Sequence, residues 1–70
     1  MSVLDLRTIA AAGGNLEISV RGFSVLDLRT IASSGAARSC RLTLRDAGTL
    51  STLDARAIAA SNPGNVTFVF

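Results

Sequence analysis

Two overlapping patterns and one isolated thiol are the places where this chain could do chemistry. Asp-x-Arg stands at Asp5/Arg7, Asp27/Arg29 and Asp54/Arg56, and Ser-x-x-Asp at Ser2/Asp5, Ser24/Asp27 and Ser51/Asp54. The thiol is Cys40, the only cysteine. A serine or cysteine nucleophile needs a neighbouring base, and acid–base catalysis needs a group titrating near neutral pH. The chain has no histidine, lysine, tyrosine or tryptophan to fill either role. Cys40 therefore reads as a small core residue, not a reactive thiol. One cysteine without histidine supplies no metal-ligand set. The sequence predicts no catalytic, metal-binding or cofactor-binding residues and no enzyme, so the aspartates need a structural explanation.

Serine followed three residues on by an acid is the capping-box arrangement, here with Asp in place of Glu or Gln. The hydroxyl accepts from a free N–H of the first turn, and the carboxylate complements the positive end of the helix dipole. Ser2, Ser24 and Ser51 are thus read as helix N-caps. The helices should stop near Gly13-Gly14, Gly35 and Asn62-Pro63-Gly64. On a helix turning about 100° per residue, Asp5 and Arg7 lie roughly 160° apart and cannot readily pair with each other. The expectation is an inter-repeat ladder, with Asp5, Asp27 and Asp54 reaching Arg7, Arg29 and Arg56 of adjacent helices.

Repetition sets the spacing of these motifs. SVLDLRTIA, Ser2 to Ala10, recurs unchanged from Ser24 to Ala32, and a looser copy, STLDARAIA, runs from Ser51 to Ala59. Such self-similarity marks units that stack because one alone cannot bury its apolar face. Each copy leads into an alternating segment: LEISV, CRLTL and VTFVF. Leu16, Ile18 and Val20 share one face of the first, Cys40, Leu42 and Leu44 of the second, and Val66, Phe68 and Phe70 of the third. Glu17, Ser19, Arg21, Arg41, Thr43, Arg45, Thr67 and Val69 take the opposite face. Period two with branched and aromatic residues predicts strands buried on one side. Strand, helix, strand in succession forces parallel pairing through right-handed crossovers. The predicted class is α/β. Specifically, it is a two-layer α/β solenoid of three helix–strand repeats (2–23, 24–50 and 51–70) in one domain over 1–70. Its parallel three-stranded sheet has order 1-2-3, with the helices on one face.

Val3, Leu6, Ile9 and Ala10 form the sheetward arc of the first helix. Leu4, Leu26 and Leu53 point away from the sheet on the same wheel. We expect the capped first turn to tuck them between neighbouring helices. The alternative is an exposed stripe, which would mark a protein or membrane-surface contact.

A net charge of +2, despite a pI near 10.1, is too small to argue for nucleic acid. Arg21, Arg41 and Arg45 could form a basic patch, but no aromatic residues stand among them for bases to stack on. All the basic residues are arginine, which favours bidentate pairing with carboxylates. Gly13-Gly14 follows a helix, so it is not a phosphate loop. No secretory signal pattern follows Met1, and no apolar run is long enough to span a bilayer. The expectation is a cytoplasmic protein, with nucleic acid and membrane disfavoured as partners.

The segment CRLTLRDAGTLSTLDARAIAASNPGNVTFVF resembles leucine-rich repeat proteins in outline: a short strand, a turn, a helix, the next strand. LDLRTIAAAGG is similar to a repeated motif of uncharacterised bacterial repeat proteins. The resemblance implies only a fold type, stacked strand–helix units used as scaffolds or contact surfaces. The asparagine ladder that follows the strand in leucine-rich repeats is missing; Gly22-Phe23 and Asp46-Ala47 stand there. A straighter stack is therefore expected as readily as a horseshoe.

Stacked units need polar caps to stay soluble, and none is recognisable here. The expected self-assembly edge comprises Val66, Thr67, Phe68, Val69 and Phe70 on one side and Val3, Leu16, Ile18 and Val20 on the other. Joining them is a head-to-tail contact that closes into a ring or runs on as a filament. The functional expectation is a structural protein whose partner is itself. The alternative is a small protein-binding module whose ends a larger partner covers.

Overall fold

A computed structural model of residues Met1–Phe70 has three α-helices alternating with three strands: α1 (Val3–Ala11), β1 (Leu16–Ser19), α2 (Val25–Ser34), β2 (Leu42–Arg45), α3 (Thr52–Ser61) and β3 (Val66–Phe68). Single 3-10 turns at Ala36–Arg38 and Ala47–Thr49 flank β2. The strands form one parallel sheet in the order β1-β2-β3, and the class is α/β.

Each helix starts where a serine hydroxyl accepts the N–H three residues on. Ser2 accepts from Asp5 at 3.2 Å, and Ser24 and Ser51 accept from Asp27 and Asp54 at 3.1 Å. In α1 and α2 the aspartate returns the bond: Asp5 and Asp27 accept the Ser2 and Ser24 N–H at 3.2 and 3.3 Å. In α3 only the serine side of the cap is made. At the other end of α1, Gly13 takes φ 93° and closes the helix. Its N–H reaches Ala10 C=O at 2.9 Å, and the Gly14 N–H reaches Ile9 C=O at 3.0 Å.

Gly35 caps the end of α2 at Ser34, where the helix was expected to stop. It stays right-handed, and the chain runs on through the 3-10 turn to Ser39, which takes the left-handed position at φ 53°. There the Cys40 N–H reaches Gly35 C=O at 3.0 Å and the Ser39 N–H reaches Ala36 C=O at 3.2 Å. Packing explains the glycine. A Cβ on Gly35 would stand 2.5 Å from Cys40 Cβ and 3.3 Å from Ala10 Cβ.

Leu16, Leu42 and Val66 stand in register, as do Ile18, Leu44 and Phe68. Their apolar faces therefore form rows across the sheet, covered by Leu6, Leu28, Ile31, Ala32 and Ile58 from the helices. Burial is graded along these rows. Leu28, Ile31, Leu42 and Leu44, from α2 and β2, are at most 1% exposed. Leu16, Ile18, Val66 and Phe68, on the outer strands, are only half-buried. Strand β3 stops at Phe68 and does not reach Phe70. Val69 still donates to Leu44 C=O at 2.9 Å and accepts from the Ala47 N–H at 3.0 Å.

Two substitutions separate packing from backbone conformation. Gly35→Ala should lower stability by about 1–3 kcal/mol through overpacking, although Ala is the better helix former by about 1 kcal/mol. Ser39→Gly should raise stability by about 0.5–1 kcal/mol, because glycine suits the left-handed position. Urea unfolding followed by circular dichroism reads both signs.

Candidate functional site

The sheet has two open edges, and the backbone decides which groups they present. In a parallel ladder a residue's N–H and C=O face the same side, and successive residues alternate. Leu16 and Val20 donate to the Arg41 and Arg45 carbonyls at 2.9 and 3.0 Å, so the backbone groups of Glu17 and Ser19 face outward. On β3, Asn65 C=O accepts the Leu42 N–H at 2.8 Å and Val69 donates to Leu44 C=O. Val66 and Phe68 therefore turn their backbone groups outward. Val3, Leu16, Ile18, Val66 and Phe68 are half-buried against the core, and Thr67, Val69 and Phe70 are exposed. The Phe70 ring stacks on Phe68 with centroids 6.4 Å apart. Val20 does not belong to the edge. It is 5% exposed and belongs to the core cluster, although its N–H continues the ladder to Arg45 C=O.

The expected ladder among Asp5, Arg7, Asp27, Arg29, Asp54 and Arg56 is not formed. The ion pairs lie on the outer sheet face instead: Arg45–Glu17 at 3.6 Å and Arg21–Asp46 at 4.0 Å. The reason is local competition. Asp5 and Asp27 are turned to their own serine caps, and Arg7 reaches only Ser34 Oγ, at 3.4 Å.

The bonds that do tie unit to unit bring in Asn15, to which the sequence reading gave no role, and put Ser19, Asp46 and Asn62 to a use it did not expect. Asn15 Oδ1 accepts the Arg41 N–H at 2.8 Å, and the Ser19 hydroxyl donates to Asp46 at 2.6 Å. Buried Asn62 donates to Cys40 C=O at 2.8 Å and accepts from Asn65 at 3.0 Å. The available signal was positional: Asn15 and Asn65 each stand one residue before a strand, in register with Arg41.

Leu4, Leu26 and Leu53 are 67%, 68% and 73% exposed, so they form an outward stripe and are not tucked between helices. Helical geometry holds from the first residue after each cap, which leaves the wheel position undisturbed. Beside Leu26 lies a shallow groove of about 200 Å³ lined also by Arg29, Thr30, Ser33 and Ser61. The Thr30, Ser33 and Ser61 hydroxyls donate to the carbonyls of Leu26, Thr30 and Ala57 in their own helices. They have no proton left for an anion, so Arg29 would stand alone in binding one.

Cys40 is 2% exposed, with Sγ 2.8 Å from Gly14 C=O. Burial pushes its pKa above the ordinary 9.0, with the strand backbone opposing in part. No helix is long and apolar enough to cross a membrane. Compared with known protein families, curated proteins and solved structures, the chain matches none.

The raised Cys40 pKa has a stability consequence. The folded chain holds the thiol proton more tightly than the unfolded chain does. That contribution is complete below the unfolded pKa and is lost as pH rises through the folded one. No lysine or tyrosine titrates in the same range. The urea midpoint should hold below about pH 8 and fall above about pH 9, and Cys40→Ala should remove the fall.

Proposed function

We propose that this chain is a structural protein that assembles head to tail with copies of itself. The β3 edge of one molecule receives the β1 edge of the next, and the sheet and helix layer run on through a filament or close into a ring. Graded burial carries this reading. Leu42 and Leu44, with a strand on each side, are sealed, whereas Leu16, Ile18, Val66 and Phe68, with a strand on one side, are half-sealed. A neighbour on each open edge would give the outer rows the environment that the middle row already has. Burying that remaining apolar area is the driving force.

A junction that repeats the internal ones has a defined register. Val66 stands opposite Leu16 of the next copy, Thr67 opposite Glu17, and Phe68 opposite Ile18. The Val66 N–H donates to the next copy's Asn15 C=O, as Leu16 donates to Arg41 and Leu42 to Asn65. Such a contact joins two different surfaces, so it does not terminate as a two-fold dimer does.

Sedimentation velocity should show mass rising with concentration, and negative-stain images should show filaments or rings. Glu17→Pro removes an outward N–H and one exposed ion pair while keeping every internal sheet bond. It should weaken association by about tenfold or more. Val69→Pro would not test the edge, since the Val69 N–H is bonded inside the chain. A chain that stays monomeric at millimolar concentration contradicts the reading. If such a monomer changes state only when another protein is added, the binding-module alternative takes its place.

A further inference from the structure

The end-to-end junction leaves the leucine stripe unused. We propose that the stripe is a second self-association surface, which pairs two filaments side by side, helix layer against helix layer, in antiparallel directions. This rests on the end-to-end reading for its strength.

Leu4, Leu26 and Leu53 hold the same place in consecutive helices, all about two-thirds exposed or more, so the stripe crosses the helix layer. On each helix the arginine lies about 60° to one side of the leucine and the aspartate about 100° to the other. Across the layer the order Arg, Leu, Asp therefore repeats, as Arg7-Leu4-Asp5, Arg29-Leu26-Asp27 and Arg56-Leu53-Asp54. A second layer placed by a two-fold axis parallel to the helices presents that order reversed. Leucine then falls on leucine, and each arginine meets the flank that carries an aspartate; Asp5 and Asp27 give only Oδ2 to their caps, which leaves Oδ1 for the partner. The arginine and aspartate heights along the helix differ by two residues, about 3 Å, which an arginine side chain spans. A two-fold axis across the helices keeps the order and sets arginine on arginine. The charge pattern selects the first arrangement, in which the two stacks run in opposite directions.

The arginines are available for this role. Arg7, Arg29 and Arg56 are exposed, and none is paired with a carboxylate of its own chain. The groove beside Leu26 can seat a partner's leucine without stranding a donor, because its hydroxyls are already bonded inward. Size sets the condition under which pairing occurs. On a molecule 28 × 24 × 18 Å across, the stripe offers a single exposed leucine per helix. One chain pairs weakly, and pairing becomes firm only when a filament repeats the contact many times.

Electron microscopy of the full chain, with and without Leu26→Lys or Arg29→Glu, tests the proposal. Both positions are exposed, so melting curves should stay unchanged. Wild type should form antiparallel filament pairs. Each variant should form single filaments of unchanged subunit register, with the paired fraction reduced by about tenfold or more. Single filaments from wild type, parallel pairs, or pairing indifferent to Leu26→Lys would overturn the proposal and leave the end-to-end reading standing. A monomer at every concentration would overturn both. Binding of the dispersed chain to phosphatidylcholine vesicles, lost in Leu26→Lys, would assign the stripe to a lipid surface and overturn pairing.

Discussion

A helix–strand unit with parallel neighbours buries its apolar face against the units on either side. That constraint organises this molecule. The middle unit shows the finished state, with Leu28 and Leu44 wholly buried and Ile31 and Leu42 at 1%. The polar contacts obey the same rule. The long-range side-chain hydrogen bonds of Arg7, Ser19, Asn15, Asn62 and Cys40 each link residues 22 to 27 positions apart, which is one unit to the next. They set how one unit sits on its neighbour, while apolar burial supplies the attraction.

Charge is arranged so as not to interfere with stacking. Asp5 and Asp27 serve their own caps at the starts of α1 and α2, where the helix dipole favours them. On the outer sheet face, Glu17 and Asp46 stand beside Arg45 and Arg21 and offset much of a basic face. Exposed pairs of this kind contribute little stability. They do keep like charges from repelling one another across adjacent strands.

The caps and strands could be read from the residues because their causes are local. A serine three residues before an acid is a property of four consecutive residues, and a strand's inward face is a property of alternation. Strand order followed from the same units recurring. What could not be read depended on contacts between units. Gly35 is needed because Cys40 and Ala10 close on it from other elements, which no local pattern records. Ser39 and Asp46 take left-handed conformations that sequence assigns to glycine or asparagine. In the Asp–Arg ladder, Asp5 and Asp27 turn back to their own caps, a nearer partner than the next helix's arginine. For the leucines, the helical wheel alone pointed outward, and the expectation of a bent first turn set that signal aside.

The central claim, that outer units are completed by other molecules, is tested most directly by amide hydrogen exchange measured across protein concentration. The account predicts that the Glu17, Ser19, Val66 and Phe68 N–H groups exchange fast in dilute solution and become protected as concentration rises, while the Leu42 and Leu44 amides are protected throughout. Outward amides that exchange equally fast at every concentration, or that are already protected in dilute monomer, would contradict it.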